Sequence, residues 1–71
     1  MDELLSERER EVVALIVTGL TNREIAQRLH LSPRTVQSHV RSAMRKTGTN
    51  GRVQLAVAAL RRGIVPSQGD A

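Results

Sequence analysis

The side chains best suited to bind another molecule lie between residues 21 and 46. Gln37, Ser38 and Arg41 are placed close together there. An arginine can bond guanine O6 and N7, a glutamine can bond adenine N6 and N7, and a serine can donate or accept. His30 and His39 have no convincing carboxylate or cysteine partner, so the chain offers no metal-binding or nucleophilic cluster. The chemistry of this segment is therefore reversible binding, and we expect no cofactor.

Two helix starts position these side chains. Thr21 with Glu24 three residues later forms a capping box. Ser32 followed by Pro33 supplies a hydroxyl acceptor and a proline at the first helical position. Only three residues separate the two helices, so they must cross and share an apolar seam, and His30 tolerates a left-handed turn there. Residues 22–41 are thus predicted to form a helix-turn-helix.

Helix-start and helix-end signals of the same kind along the chain predict an all-α, compact four-helix domain over residues 1–65, with residues 66–71 as a flexible C-terminal tail. Ser6 and Glu9 form another capping box, and Gly63 ends the last helix. Helical spacing of apolar residues defines the helix bodies, and no strand signal is present. The predicted helices are Glu7 to Thr18, Asn22 to Leu29, Pro33 to Lys46 and Arg52 to Arg62.

Helix three is predicted to separate its side chains into two faces. It is about 21 Å long and fits a major groove about 12 Å wide, so we expect it to be the recognition helix. The core face comprises Val36, Val40, Ala43, Met44 and Thr47, whereas the exposed face comprises Arg34, Gln37, Ser38, Arg41 and Arg45.

Charge is distributed unevenly along the 71 residues. The first eleven carry a net charge of −3, whereas residues 22–65 carry +8. A basic region that coincides with the recognition segment favours a polyanionic partner. The chain has neither cysteine nor aromatic residues and no long apolar run, which argues against disulfides and membrane spans and favours a cytoplasmic, nucleoid-associated protein.

The distributed pattern resembles the LuxR or FixJ type of helix-turn-helix output domain of bacterial transcription regulators. The match covers about residues 4 to 65. It is carried by Leu5-Ser6-Glu7-Arg8-Glu9, Val12, Gly19, Thr21-Asn22-Arg23-Glu24-Ile25-Ala26, Leu29, Leu31-Ser32, Thr35-Val36, His39-Val40, Lys46, Gly48, Arg52, Ala59 and Gly63.

This resemblance implies sequence-specific binding of double-stranded DNA, with helix three in the major groove and helix four as the dimer surface. Three of its residues match base-contacting positions: Gln37, Ser38 and Arg41. The resemblance implies phosphate contacts by Thr21, Asn22, Thr35 and Lys46. Arg34 and Arg45, which are positively charged, are expected to contact phosphates as well.

Three residues depart from the family pattern. Gln37 replaces a frequent lysine, and Thr47 replaces a frequent leucine, which we expect to thin the core. Gly51 stands where Asn or Asp often caps helix four, at a cost of a few tenths of a kcal/mol.

Helix four is apolar around its circumference between Val53 and Leu60, except at Gln54. A domain this small covers only one side of such a helix. Val53, Val57 and Leu60 are therefore expected to form an exposed stripe for a homodimer contact. The alternative is that this stripe packs on the C-terminal segment through Ile64 and Val65.

Other functions fit the sequence less well. An enzyme is disfavoured because the chain shows no cluster of catalytic side chains. Binding of single-stranded nucleic acid is disfavoured because the chain has no aromatic side chain on which a base could stack. The acidic residues of helix one are interpreted as solvated charges that support the helix. A sigma-factor region four type of module and a protein-interaction module that sequesters a regulator remain as rivals. RNA polymerase, and an upstream receiver or ligand-binding domain, are further partners of the expected regulator.

Overall fold

The computed structural model of the chain describes residues 4–65. The predicted tail at residues 66–71 lies outside this range, as do the first three residues of the predicted domain. Within the described range there are four helices and no strand, which confirms the predicted all-α class. The helices are α1 (Glu7–Val17), α2 (Asn22–Leu29), α3 (Pro33–Thr47) and α4 (Arg52–Arg61).

The helix starts are those predicted, and three helix ends differ from the prediction by one residue. At α1 and α2 both halves of each capping box are formed, by Ser6 with Glu9 and by Thr21 with Glu24. At α3 the Ser32 hydroxyl accepts from the Thr35 backbone N–H at 3.1 Å. Gly51 begins α4 without any side-chain cap, as expected.

The turn between α2 and α3 fixes the angle at which the two helices meet. His30 ends α2 in a left-handed conformation, with φ of 60°, as the sequence allowed. The Leu31 N–H then bonds the Ala26 carbonyl oxygen at 2.8 Å, which satisfies an acceptor at the helix end. Ile25, Ala26, Val36 and Val40 are buried at the seam, with Leu29 and Leu31 packed against them.

The core lies where α1 and α3 cross, because each of these helices packs against all three others. Its largest fully buried side chains are Val12, Val13, Ile25, Val36 and Leu55. Val65 is also buried, and the chain after α4 therefore folds back on the core. Thr47 is buried as well, but its hydroxyl donates to the Ala43 carbonyl oxygen at 2.8 Å, so replacing a leucine there leaves no unpaired polar group.

Candidate nucleic-acid interface

One face of α3 is buried in the core, and the opposite face is exposed to solvent. Val36, Val40, Ala43 and Thr47 lie in the core at helical spacing. The residues on the opposite side of the helix therefore point outward. The exposed residues are Arg34, Gln37, Ser38, Arg41 and Arg45, as the periodicity predicted.

This face combines three arginines with two neutral hydrogen-bonding side chains. Gln37, Ser38 and Arg41 lie within about one turn of one another, near the middle of the helix. Such a face can bond base edges through its middle and phosphates through its flanks.

Gln37 is held by a chain of hydrogen bonds that crosses three elements. Arg52, the first residue of α4, donates to the Leu20 carbonyl oxygen and to Asn22 Oδ1, each at 2.7 Å. Asn22 Nδ2 then donates to Gln37 Oε1 at 2.8 Å. The structure thus joins two predicted DNA-contacting residues, Asn22 and Gln37, through an arginine that the sequence prediction did not place in the site.

Arg52 could have been found from the sequence by its position. It stands in the first turn of a helix, where the macrodipole disfavours a positive charge, and no acidic residue shares that turn. A basic side chain at such a place indicates a specific partner that offsets the penalty. The partner itself, Asn22 at the start of α2, is 30 positions away and leaves no signal in the local pattern.

Lys46 lies in an ion pair inside the domain. Its Nζ donates to Glu9 Oε1 at 2.8 Å, and the two side chains retain only 16% and 7% of their exposure. Glu9 Oε1 also accepts from the Ser6 backbone N–H at 2.8 Å. The interpretation of the acidic α1 residues as solvated charges is therefore wrong for Glu9, although it holds for Glu7 and Glu11, which are exposed.

The environment of Glu9 favours its charged form. Burial alone would raise the pKa of this carboxyl, but hydrogen bonds from Lys46, Ser42 and the Ser6 backbone, together with the Lys46 charge, lower it to about 2. The ion pair ties the end of α3 to the start of α1. Lys46 thus has a structural partner in addition to the phosphate contact predicted for it.

The remaining predicted phosphate contacts lie at or beside helix ends. Thr21 is exposed, and its hydroxyl caps α2 by accepting from the Glu24 N–H at 3.2 Å. Thr35 is half-buried in the first turn of α3, with its hydroxyl 2.9 Å from that of Ser32. Free backbone N–H groups at such helix starts suit an anionic oxygen.

A second exposed feature lies on α4. Val53, Val57 and Leu60 keep 71%, 46% and 42% of their surface accessible, whereas Leu55 and Ala59 are completely buried. Within residues 4–65 the predicted stripe is therefore at the surface. Ile64 and Val65 pack against the core and leave it exposed, so the alternative in which they cover the stripe is not observed.

The described residues form neither a metal-binding cluster nor a membrane-spanning helix. Residues 4–65 contain no group of three or more histidine, cysteine or acidic side chains that could hold a metal ion. In the same range, no helix is long and apolar enough to cross a lipid bilayer.

A short turn between two capped helices, a basic and solvent-facing second helix, and a packed apolar base define a helix-turn-helix domain of the DNA-binding class. Residues 3–59 match the family described as bacterial regulatory proteins, luxR family, and the chain belongs to that family. Its relatives include proteins named as transcriptional regulators and a transcription factor, so this is a transcriptional regulator domain and not an enzyme.

Three sequence relatives show the range of proteins in which this domain occurs. The spore germination protein GerE of Bacillus subtilis is 48% identical over 60 residues, covering 84% of this chain and 81% of GerE. FixJ of Rhizobium meliloti is 43% identical over 65 residues, covering 92% of this chain but 32% of FixJ. In an HTH-type transcriptional regulator of Mycobacterium tuberculosis that is 51% identical, the match spans only 7% of the relative.

Solved structures agree with the fold. The GerE transcription factor superposes with a TM-score of 0.83 at 34% identity, covering 90% of this chain and 96% of GerE. VqmA of Vibrio cholera, in a complex with a ligand and DNA, superposes with a TM-score of 0.81 at 33% identity, covering 84% of this chain and 26% of VqmA.

Proposed function

We propose that this domain binds double-stranded DNA in a sequence-specific manner, with α3 in the major groove. The observation that carries the proposal is the exposed α3 face, on which Gln37, Ser38 and Arg41 lie together while the other side of the helix is locked into the core. The similarity to VqmA, whose crystal structure is a complex with DNA, supports it. In this arrangement these three side chains contact base edges, and transcription regulation is the consequence of the binding.

Phosphate contacts flank this reading surface in the proposal. Arg34 and Arg45 lie on the same exposed face of α3, and Thr21 and Thr35 lie at the starts of α2 and α3. Asn22 and Lys46 already have partners inside the domain, so they would contact phosphates with the N–H groups that those partners leave available. These contacts position the domain without selecting a sequence.

A second copy of the domain is the proposed occupant of the α4 stripe. Val53 and Val57 are one turn apart, and Leu60 follows after another three residues, so the three side chains form a continuous apolar strip. Such a strip is self-complementary across a twofold axis. Two domains paired in this way would bind half-sites about one helical turn apart.

The proposal is tested by selecting bound sequences from a random duplex pool, starting with the purified 71-residue chain. We expect an enriched motif that is repeated as an inverted pair, with binding that weakens steeply as salt rises. Equal affinity for all duplexes, or stronger binding to single strands, would overturn sequence-specific duplex binding. Tight self-association with negligible DNA affinity would instead favour a protein-interaction module.

A further inference from the structure

The amide of Gln37 has a defined orientation. An arginine guanidinium carries only donors, so the Asn22 atom that faces Arg52 must be the oxygen. The nitrogen of Asn22 then faces Gln37, and the Gln37 atom that meets it must in turn be an oxygen. Each assignment follows from the one before.

The first member of this chain is itself anchored. Arg52 is only partly exposed, and its second nitrogen bonds the backbone carbonyl oxygen of Leu20 at 2.7 Å. A bidentate guanidinium held by a backbone atom and a side chain has little freedom to rotate. Asn22 is therefore presented with its nitrogen toward α3.

We propose that Arg52, acting through Asn22, holds the Gln37 amide so that its nitrogen, and not its oxygen, faces the bases of a bound duplex. This inference rests on the DNA-binding function proposed above and names Arg52 and Asn22 as positioning residues for specificity. Gln37 then acts as a hydrogen-bond donor.

A donor at this position selects among base edges. Guanine offers N7 and O6 as acceptors and thymine offers O4, whereas cytosine offers only its N4 amino donor in the major groove. An unrestrained glutamine would instead suit adenine, by donating to N7 and accepting from N6. With its oxygen held by Asn22, Gln37 favours guanine or thymine and disfavours cytosine.

The contacted base must first be located. Selection with the wild-type chain and with Gln37→Ala identifies the base pair whose preference depends on Gln37. Competition binding with the four variants of that base pair then gives the ranking. We expect guanine to be favoured over cytosine by about three- to tenfold, the range that one net hydrogen bond supplies.

Asn22→Asp is the informative variant. The new carboxylate keeps the acceptor for Arg52 but has no donor for Gln37, so the Gln37 amide must rotate to donate to it. Gln37 Oε1 then faces the groove and accepts from cytosine N4 or adenine N6. We expect the preference for guanine over cytosine to disappear or reverse, and the overall affinity to fall because of the added negative charge.

Thr21→Asp is the matched control. It adds the same charge one position away and preserves a capping oxygen, and the side chain at this position bonds the Glu24 N–H and takes no part in the hydrogen bonds of Asn22 and Gln37. It should lower the affinity for all four duplexes by a common factor and keep their ranking. Thermal melting of both variants verifies that the domain remains folded.

Three outcomes would refute the inference in distinguishable ways. If Asn22→Asp keeps the wild-type ranking, or if no base pair depends on Gln37 although the chain binds a specific motif, the positioning role is wrong and the DNA-binding function stands. If the wild-type chain selects no motif, both fail. A preference for guanine over cytosine that disappears or reverses in Asn22→Asp but not in Thr21→Asp confirms the positioning role.

Discussion

Removing the Lys46 ammonium tests how strongly the ion pair to Glu9 stabilises the fold. Lys46→Met keeps the length and apolar stem of the side chain but leaves the Glu9 carboxylate buried without its cation. A shift in the pKa of Glu9 from 4.5 to about 2 corresponds to about 3 kcal/mol in total, to which Lys46 contributes together with Ser42 and the Ser6 backbone. Lys46 still contacts water, which screens the pair, so we expect a loss of about 2 kcal/mol at pH 7.

Urea denaturation followed by circular dichroism measures this loss. A domain of this size has a free energy of unfolding on the order of 5 kcal/mol, and with an m-value of about 1 kcal/mol/M the midpoint should fall by about 2 M. The Glu9 pKa is lowered in the folded state, so its contribution is complete above about pH 5 and is lost as the pH falls toward 2. The difference between wild type and Lys46→Met should therefore fall to less than half as the pH approaches 2.

Two further variants separate the ion pair from the capping box. Glu9→Gln retains an acceptor for the Ser6 N–H, and a double-mutant cycle with Lys46→Met isolates the pair, with an expected coupling of about 1–2 kcal/mol. Glu24→Gln alters the other capping box, where hydrogen bonds from the backbone and side chain of Thr21 lower the carboxyl pKa and no lysine takes part. The loss of stability in Glu24→Gln should therefore be smaller than in Glu9→Gln. Unchanged stability of Lys46→Met, or a loss independent of pH, would refute the reasoning. Weaker DNA binding with unchanged stability would assign Lys46 to the phosphates instead.

Three other substitutions have defined outcomes. Arg41→Ala should cost about 1–3 kcal/mol on the selected motif and relax specificity at one base pair; equal losses on specific and random duplexes in competition assays would contradict a base contact. Val57→Glu places a charge in the α4 stripe and should abolish cooperative binding to paired half-sites while sparing a single half-site; unaffected cooperativity in gel-shift titrations would exclude α4 as the dimer surface. His30→Gly removes a side chain from a left-handed position and should raise the free energy of unfolding by up to about 1 kcal/mol without altering DNA affinity; a destabilised variant in urea titrations would show that the imidazole makes a needed contact.

The helices and their faces could be predicted because their signals are local. Ser6, Thr21 and Ser32 each bond a backbone N–H three residues further along the chain, so the sequence states both partners of each cap at once. Periodicity separates the two faces of α3 for the same reason, since a helix brings residues three and four apart onto one side. Even the exposure of Val53, Val57 and Leu60 follows from a helix with more apolar surface than a small domain can cover.

Which side chains meet across the fold was decided only by the tertiary structure. Lys46 lies 37 positions from Glu9, and Arg52 lies 30 from Asn22. From the sequence, Lys46 and Asn22 were interpreted as phosphate contacts and Glu9 as a solvated charge. Arg52 was noted only as one of the residues that carry the family resemblance. Helix crossing angles and the position of a turn brought them into two polar connections, and no spacing rule carries that information. The sequence determined which residues face outward from α3; the packing of α1, α2 and α4 around it determined which of them are held in place, and in what orientation.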